Sequence, residues 1–140
     1  MSANPQPKAP GDGWLEILKR PTQEEFAAAF SRNVVLDTSI AAGPIVGPID
    51  LRYFFEASRT MYDAISFTHE TNSGSRTCLE WEGAFRGNAI AGTTILAFDA
   101  NGAIANVQLY HRPYEQVIAY AAELGRRLKG KLDPSIFPER

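Results

Sequence analysis

Four consecutive runs rich in β-branched and aromatic residues, at 65–71, 76–85, 89–99 and 103–112, constrain this chain more than any other feature. A turn signal parts each run from the next: Asn72-Ser73-Gly74, Arg86-Gly87-Asn88 and Asn101-Gly102. The Asn-Gly pair is the strongest of these, because a tight hairpin needs positive φ and both residues tolerate it. Four sequential antiparallel strands follow. Gly92, between Ala91 and Thr93, reads as a bulge that lets the sheet curl.

Helical spacing brackets this block. Trp14 to Leu18 supply the apolar bulk of a short helix that Pro21 stops. Thr22 and Glu25 stand at capping-box spacing ahead of Phe26, Ala29 and Phe30, predicting a helix over 22–32. Asn33 to Asp37 read as a brief strand, and the Gly/Pro-rich run 41–47 as a loop. Pro48 suits a first helical turn, and Leu51, Phe54, Phe55, Ser58 and Tyr62 recur on one face, predicting a helix over 48–62. Pro113 ends the last strand; Tyr114, Val117, Ala121, Leu124 and Leu128 then trace an amphipathic helix over 114–130. The Pro- and Gly-rich residues 1–13 read as a flexible arm, 14–132 as one domain and 133–140 as a tail. Helices, then a meander, then a helix make an α+β domain.

Length and composition narrow the function classes. With 140 residues and 44% hydrophobic content the chain has enough material for one core. A net charge of −2 gives no long-range attraction for nucleic acid or an anionic membrane. Arg126, Arg127, Lys129 and Lys131 cluster where cations complement a helix C-terminus. Cys78 is the single cysteine, so no intrachain disulfide forms, and it falls in an alternating pattern that reads as a buried thiol. The first ten residues lack the apolar core of a signal peptide, and no run is long and apolar enough to span a bilayer, so a soluble cytoplasmic protein is expected. The two histidines and one cysteine have no paired ligand spacing, so neither a metal site nor any cofactor is expected.

Several local sequences resemble one superfamily. Val35-Leu36-Asp37, a Gly/Pro loop, then Gly47 opening a helix with Phe54-Phe55 is similar to the strand–loop–helix segment of ketosteroid isomerases. Trp81-Glu82-Gly83 and the hairpin from Leu96 to Ile104 resemble SnoaL-like proteins, and His111-Arg112-Pro113 closes the last strand as in many members. Over residues 22–113 the chain thus resembles the nuclear transport factor 2-like superfamily. The resemblance implies a cone-shaped, curved antiparallel sheet with helices on its concave face and a C-terminal helix. It also implies a pocket for a small, largely apolar ligand, and a homodimer. Two functions stay open: a cofactor-independent isomerase, hydratase or hydrolase, and a non-catalytic binding or dimerisation module.

By that resemblance Asp37 falls where the isomerases keep a general base, a carboxylate able to take a proton from carbon beside a carbonyl. The isomerase tyrosine is replaced by Phe55, and the position of the neutral carboxylic acid falls at or near Thr94. Alternation puts His111 with Val107 and Leu109 on the face expected to look into the cavity, and His69 with Phe67 and Thr71. Asp37, His111 and His69 are therefore the candidate catalytic residues. Phe55, Tyr62, Trp81, Thr94, Leu96 and Leu109 are the candidate ligand contacts. Glu80 and Glu82 flank Trp81 and should face outward if it faces in.

Overall fold

The computed structural model describes residues 9–137. Its elements run α1 (Asp12–Leu18), α2 (Gln23–Ala27), β1 (Phe30–Thr38), β2 (Ile45–Val46), α3 (Pro48–Arg59), β3 (Ala64–Ser73), β4 (Arg76–Phe85), β5 (Asn88–Phe98), β6 (Ile104–Arg112) and α4 (Tyr114–Arg127), ending in a short 3-10 turn at Pro134–Ile136. The six strands make one curved, open sheet in the order β2-β1-β6-β5-β4-β3. β3 to β6 form the expected antiparallel meander within a residue or two of the predicted bounds.

The first three elements differ from expectation in one instructive way. Thr22 caps α2, its Oγ1 accepting from the Glu25 N–H at 3.1 Å, yet the helix stops at Ala27 instead of reaching residue 32. Phe30 is taken by the sheet: it pairs with Ile104, and the Ile104 N–H donates to the Ala29 carbonyl at 2.9 Å. β1 lies parallel to β6, so the sheet is mixed rather than wholly antiparallel. Gly92 is no bulge, for it pairs in register with Trp81 on one side and His111 on the other. The register shifts fall instead at Phe67/His69, Ala97/Phe98 and Phe30/Val35.

The core lies between the concave face of the sheet and the helices. Val34 and Leu36 of β1, Leu79 and Trp81 of β4, Ile90 and Leu96 of β5, and Val107 and Leu109 of β6 are buried there. Leu51, Phe54 and Phe55 of α3 and Leu124 of α4 are buried against them. Trp14 of α1 closes one corner, edge-on to Phe55 with centroids 5.3 Å apart. Each such side chain contributes about 1.5–3 kcal/mol by leaving water.

Both termini dock further than composition indicates. α1 starts inside the stretch read as an arm, and Gly11 before it donates to Glu70 Oε1 at 3.0 Å. A Cβ at Gly11 would stand 2.5 Å from the Phe67 ring, so glycine is required for that approach. At the other end the Ile136 carbonyl accepts from the Ala42 N–H at 2.7 Å. Residues 1–8 and 138–140 of the expected arm and tail lie outside the described residues. Among the described residues no helix is long and apolar enough to cross a membrane.

Candidate functional site

Strand alternation carries Val107, Leu109 and His111 of β6 to the concave face, and there the imidazole meets a cluster of aromatic and hydroxyl groups. His111 Nε2 lies 2.6 Å from the Tyr62 hydroxyl. Its ring is edge-on to Trp81, centroids 5.0 Å apart, and tilted against Tyr120 at 4.8 Å. Tyr120 reaches in from α4 and donates to the Ser58 carbonyl of α3 at 3.0 Å, with Ser58 Oγ 2.5 Å from its own hydroxyl. Trp81 Nε1 donates to Thr94 Oγ1 at 3.2 Å. The indole fits because residue 92 has no side chain: a Cβ there would stand 2.2 Å from Trp81 and 2.3 Å from the Tyr110 carbonyl oxygen.

Burial sets the protonation of this cluster. Desolvation pushes the His111 pKa down to about 3, so the ring is neutral across the physiological range. Desolvation likewise pushes Tyr120 up to about 12, and raises Tyr62, with the neighbouring Tyr120 adding to the rise. Both are neutral phenols. One polar atom stays unpaired: His111 Nδ1 is buried with no protein hydrogen-bond partner among the described residues.

The other two candidate catalytic residues lie elsewhere. Asp37 pairs with Gln108 while its neighbour Leu36 pairs with the fully buried Val107, so the carboxylate points to the outer face. There it is exposed and accepts from Asn106 Nδ2 at 3.3 Å. This corrects the expectation that Asp37 lines the cavity as a general base. His69 is also corrected. The register shift between Phe67 and His69 inserts a residue, so His69 faces Glu80 on the outer side while Phe67 faces Trp81 within.

The expected ligand contacts divide. Tyr62, Trp81 and Thr94 join His111, whereas Phe55, Leu96 and Leu109 are buried core. A groove of about 1180 Å³ runs between α4, residues 39–42 and the segment from Leu128 to Phe137. Ile40, Val117, Ala121, Leu128, Ile136 and Phe137 give it apolar walls, with Arg126, Lys129, Lys131 and Asp133 also along it. Its wall at Ser39 meets β6 at His111, where Ser39 Oγ accepts from the His111 main-chain N–H at 2.9 Å. A more open depression of about 560 Å³ crosses the ends of β3 to β6, beside Arg112 and Pro113. Among the described residues no group of His, Cys, Asp and Glu is placed to hold a metal.

No protein-family model and no curated protein matches this chain. Solved structures do. A steroid delta-isomerase from Pseudomonas aeruginosa superposes with a TM-score of 0.75 at 20% identity, over 84% of this chain and 88% of that one. A SnoaL-like family protein from Agrobacterium tumefaciens gives 0.54 at 17%, over 71% and 92%. A nuclear transport factor 2-like protein from Cytophaga hutchinsonii gives 0.56 at 14%, over 74% and 87%. The chain has the nuclear transport factor 2-like fold. At these identities the likeness carries the architecture and leaves the chemistry to the residues.

Within this fold, the residue that sequence reasoning missed is Tyr120. The predicted stripe holds at Val117, Ala121, Leu124 and Leu128, which pack on the core, but it includes Tyr114, which is 67% exposed, and omits Tyr120, which is fully buried. Steps of three and four from Val117 reach Tyr120 and Leu124, and that spacing was the available signal. Ser58 stood on the predicted face of α3 without a role assigned to it. The structure gives it one, as the hydroxyl that anchors Tyr120.

Proposed function

We propose that this domain binds a small, largely apolar molecule in the groove between α4 and residues 39–42. The groove carries the reading: its wall at Ser39 accepts a hydrogen bond from the main-chain N–H of His111, whose ring is held at Nε2 and unpaired at Nδ1. Apolar walls with a few convergent polar groups are the usual make-up of a small-molecule site.

Binding is favoured over proton abstraction from carbon. Asp37 faces away from the cluster, and a histidine held near a pKa of 3 is a weak base at neutral pH, where catalysis wants a value close to the working pH. The fold shared with a steroid delta-isomerase makes fused-ring compounds a reasonable first probe. Calorimetric titration with 2-naphthol should show saturable binding that Ala121→Phe, which fills the groove, abolishes while the thermal unfolding midpoint holds. No saturable heat, or heat indifferent to that substitution, would overturn the proposal.

A further inference from the structure

We infer that the groove takes an organic anion, a small molecule with an apolar body and a carboxylate, whose acid group is held past the end of α4 by Lys129, Lys131 and Arg126. This rests on the binding reading above and adds the charge of the ligand. The charges along the groove lead to it. Arg126, Lys129 and Lys131 border it, and Asp133 is the single acid among its described lining residues. That acid is occupied by its own turn, its Oδ1 accepting from the Ser135 N–H and the Ser135 hydroxyl, both at 2.9 Å. Glu123 does not restore the balance, for Arg86, Arg126 and Arg127 share its carboxylate at 3.1, 2.7 and 2.9 Å. A local positive surplus results, on a chain whose net charge is −2.

Stabilisation of the helix end accounts for only part of that surplus. The dipole acts within the last turn, and α4 ends at Arg127, so it explains Arg126 and Arg127. Lys129 and Lys131 lie beyond it. Leu128 and Leu132 turn into the core and fix the segment between them, which leaves both lysines exposed along the groove. Lys131 Nζ stands 5.6 Å from the centre of the Tyr53 ring, a cation–π contact that reaches across to α3. Ammonium heads on aliphatic stems beside apolar walls complement an amphiphilic acid in both charge and shape. A cationic ligand of the same shape would meet like charge there and is disfavoured.

Three probes of nearly one shape separate charge from fit: 2-naphthoate, 2-naphthamide and the 2-naphthamidinium cation, titrated calorimetrically into the full chain at neutral pH and low ionic strength. The acid should bind about fivefold more tightly than the amide, the size of effect a partly exposed ion pair gives, and the cation more weakly than either. Added sodium chloride should narrow the gap. Lys129→Gln and Lys131→Gln together should bring acid and amide within about twofold, whereas Lys129→Arg with Lys131→Arg should keep the preference. Equal affinities for acid and amide, or a preference that survives the paired glutamines, overturn the inference while the binding reading stands. An acid that binds Ala121→Phe as tightly as wild type would be held by exposed cations without the groove, and that also overturns it. If neither these probes nor 2-naphthol binds, the binding reading falls and the inference falls with it.

Discussion

On the concave face of the sheet one histidine is enclosed by two tyrosines and a tryptophan; on the outer face the other, across a register shift, has its side chain 72% exposed with Nδ1 3.9 Å from Glu80. The residue type is the same and both strands, β3 and β6, belong to one meander. What differs is the phase of alternation, and phase decides whether an imidazole is desolvated or freely hydrated. β1 makes the same contrast between adjacent residues: Leu36 is fully buried and Asp37 is exposed. The buried polar side chains of β4 to β6 are those of the concave phase. They are a hydroxyl, an indole and a neutral imidazole rather than carboxylates.

Truncation on either side of that divide gives the largest effect. Leu36→Ala should cost about 2–5 kcal/mol, because it opens a cavity against Val107 in the core. Asp37→Ala next to it should stay within about 0.5 kcal/mol. Urea denaturation of the two variants measures this directly. Equal losses would erase the contrast between the faces.

Gly92→Ala comes next, at about 1–3 kcal/mol, the usual cost of overpacking. The added methyl meets the Trp81 ring on one side and a backbone carbonyl on the other, and only the ring has anywhere to go. A displaced indole should lose its hydrogen bond to Thr94, which a shifted tryptophan emission would report alongside the lower stability.

The pH dependence of stability sharpens the same contrast. His111 has a folded pKa of about 3 against an unfolded value near 6.5, so below pH 6.5 the unfolded chain binds a proton that the folded chain refuses. Its contribution is complete above pH 6.5 and falls by about 1.4 kcal/mol per pH unit as pH drops towards 3. Glu123, held down to about 2 by hydrogen bonds from Arg127 and Arg126, loses its own contribution only at lower pH, so a comparison over pH 5–7 isolates the histidine. His111→Gln should flatten the curve there. Parallel curves for wild type and His111→Gln would show that the ring is not desolvated.

What the sequence made legible is what local chemistry determines. Turn residues placed the hairpins of β3 to β6, and the alternation of Val107, Leu109 and His111 placed the imidazole. The parallel union of β1 with β6 was hidden because the partners, such as Leu36 and Val107, lie far apart in the chain. His69 was misplaced because a bulge inside a strand leaves the composition of the strand unchanged. Asp37 is a different case. The apolar alternation of Val34 and Leu36 already assigned it to the outer face, and the likeness to ketosteroid isomerases pointed the other way. Tyr120 was missed because the stripe was stepped from Val117 to Ala121, although the position three residues after Val117 shares the same helical face.

The smallest expected effect makes the sharpest test of the two faces. Asp37→Asn keeps the shape of the side chain, removes its charge and its capacity as a base, and leaves an oxygen to accept from Asn106. Because the carboxylate is exposed and on the outer face, stability should change by less than about 0.5 kcal/mol. Affinity for 2-naphthol should be unchanged within about twofold, since the groove and the His111 cluster lie across the sheet and exposed charges at such separations are largely screened. The measurement is a paired calorimetric titration of wild type and variant in the same buffer. A tenfold weaker variant would mean that Asp37 reaches the ligand, which the alternation of β1 forbids in this fold. The assignment of inner and outer faces would then have to be reversed for that strand.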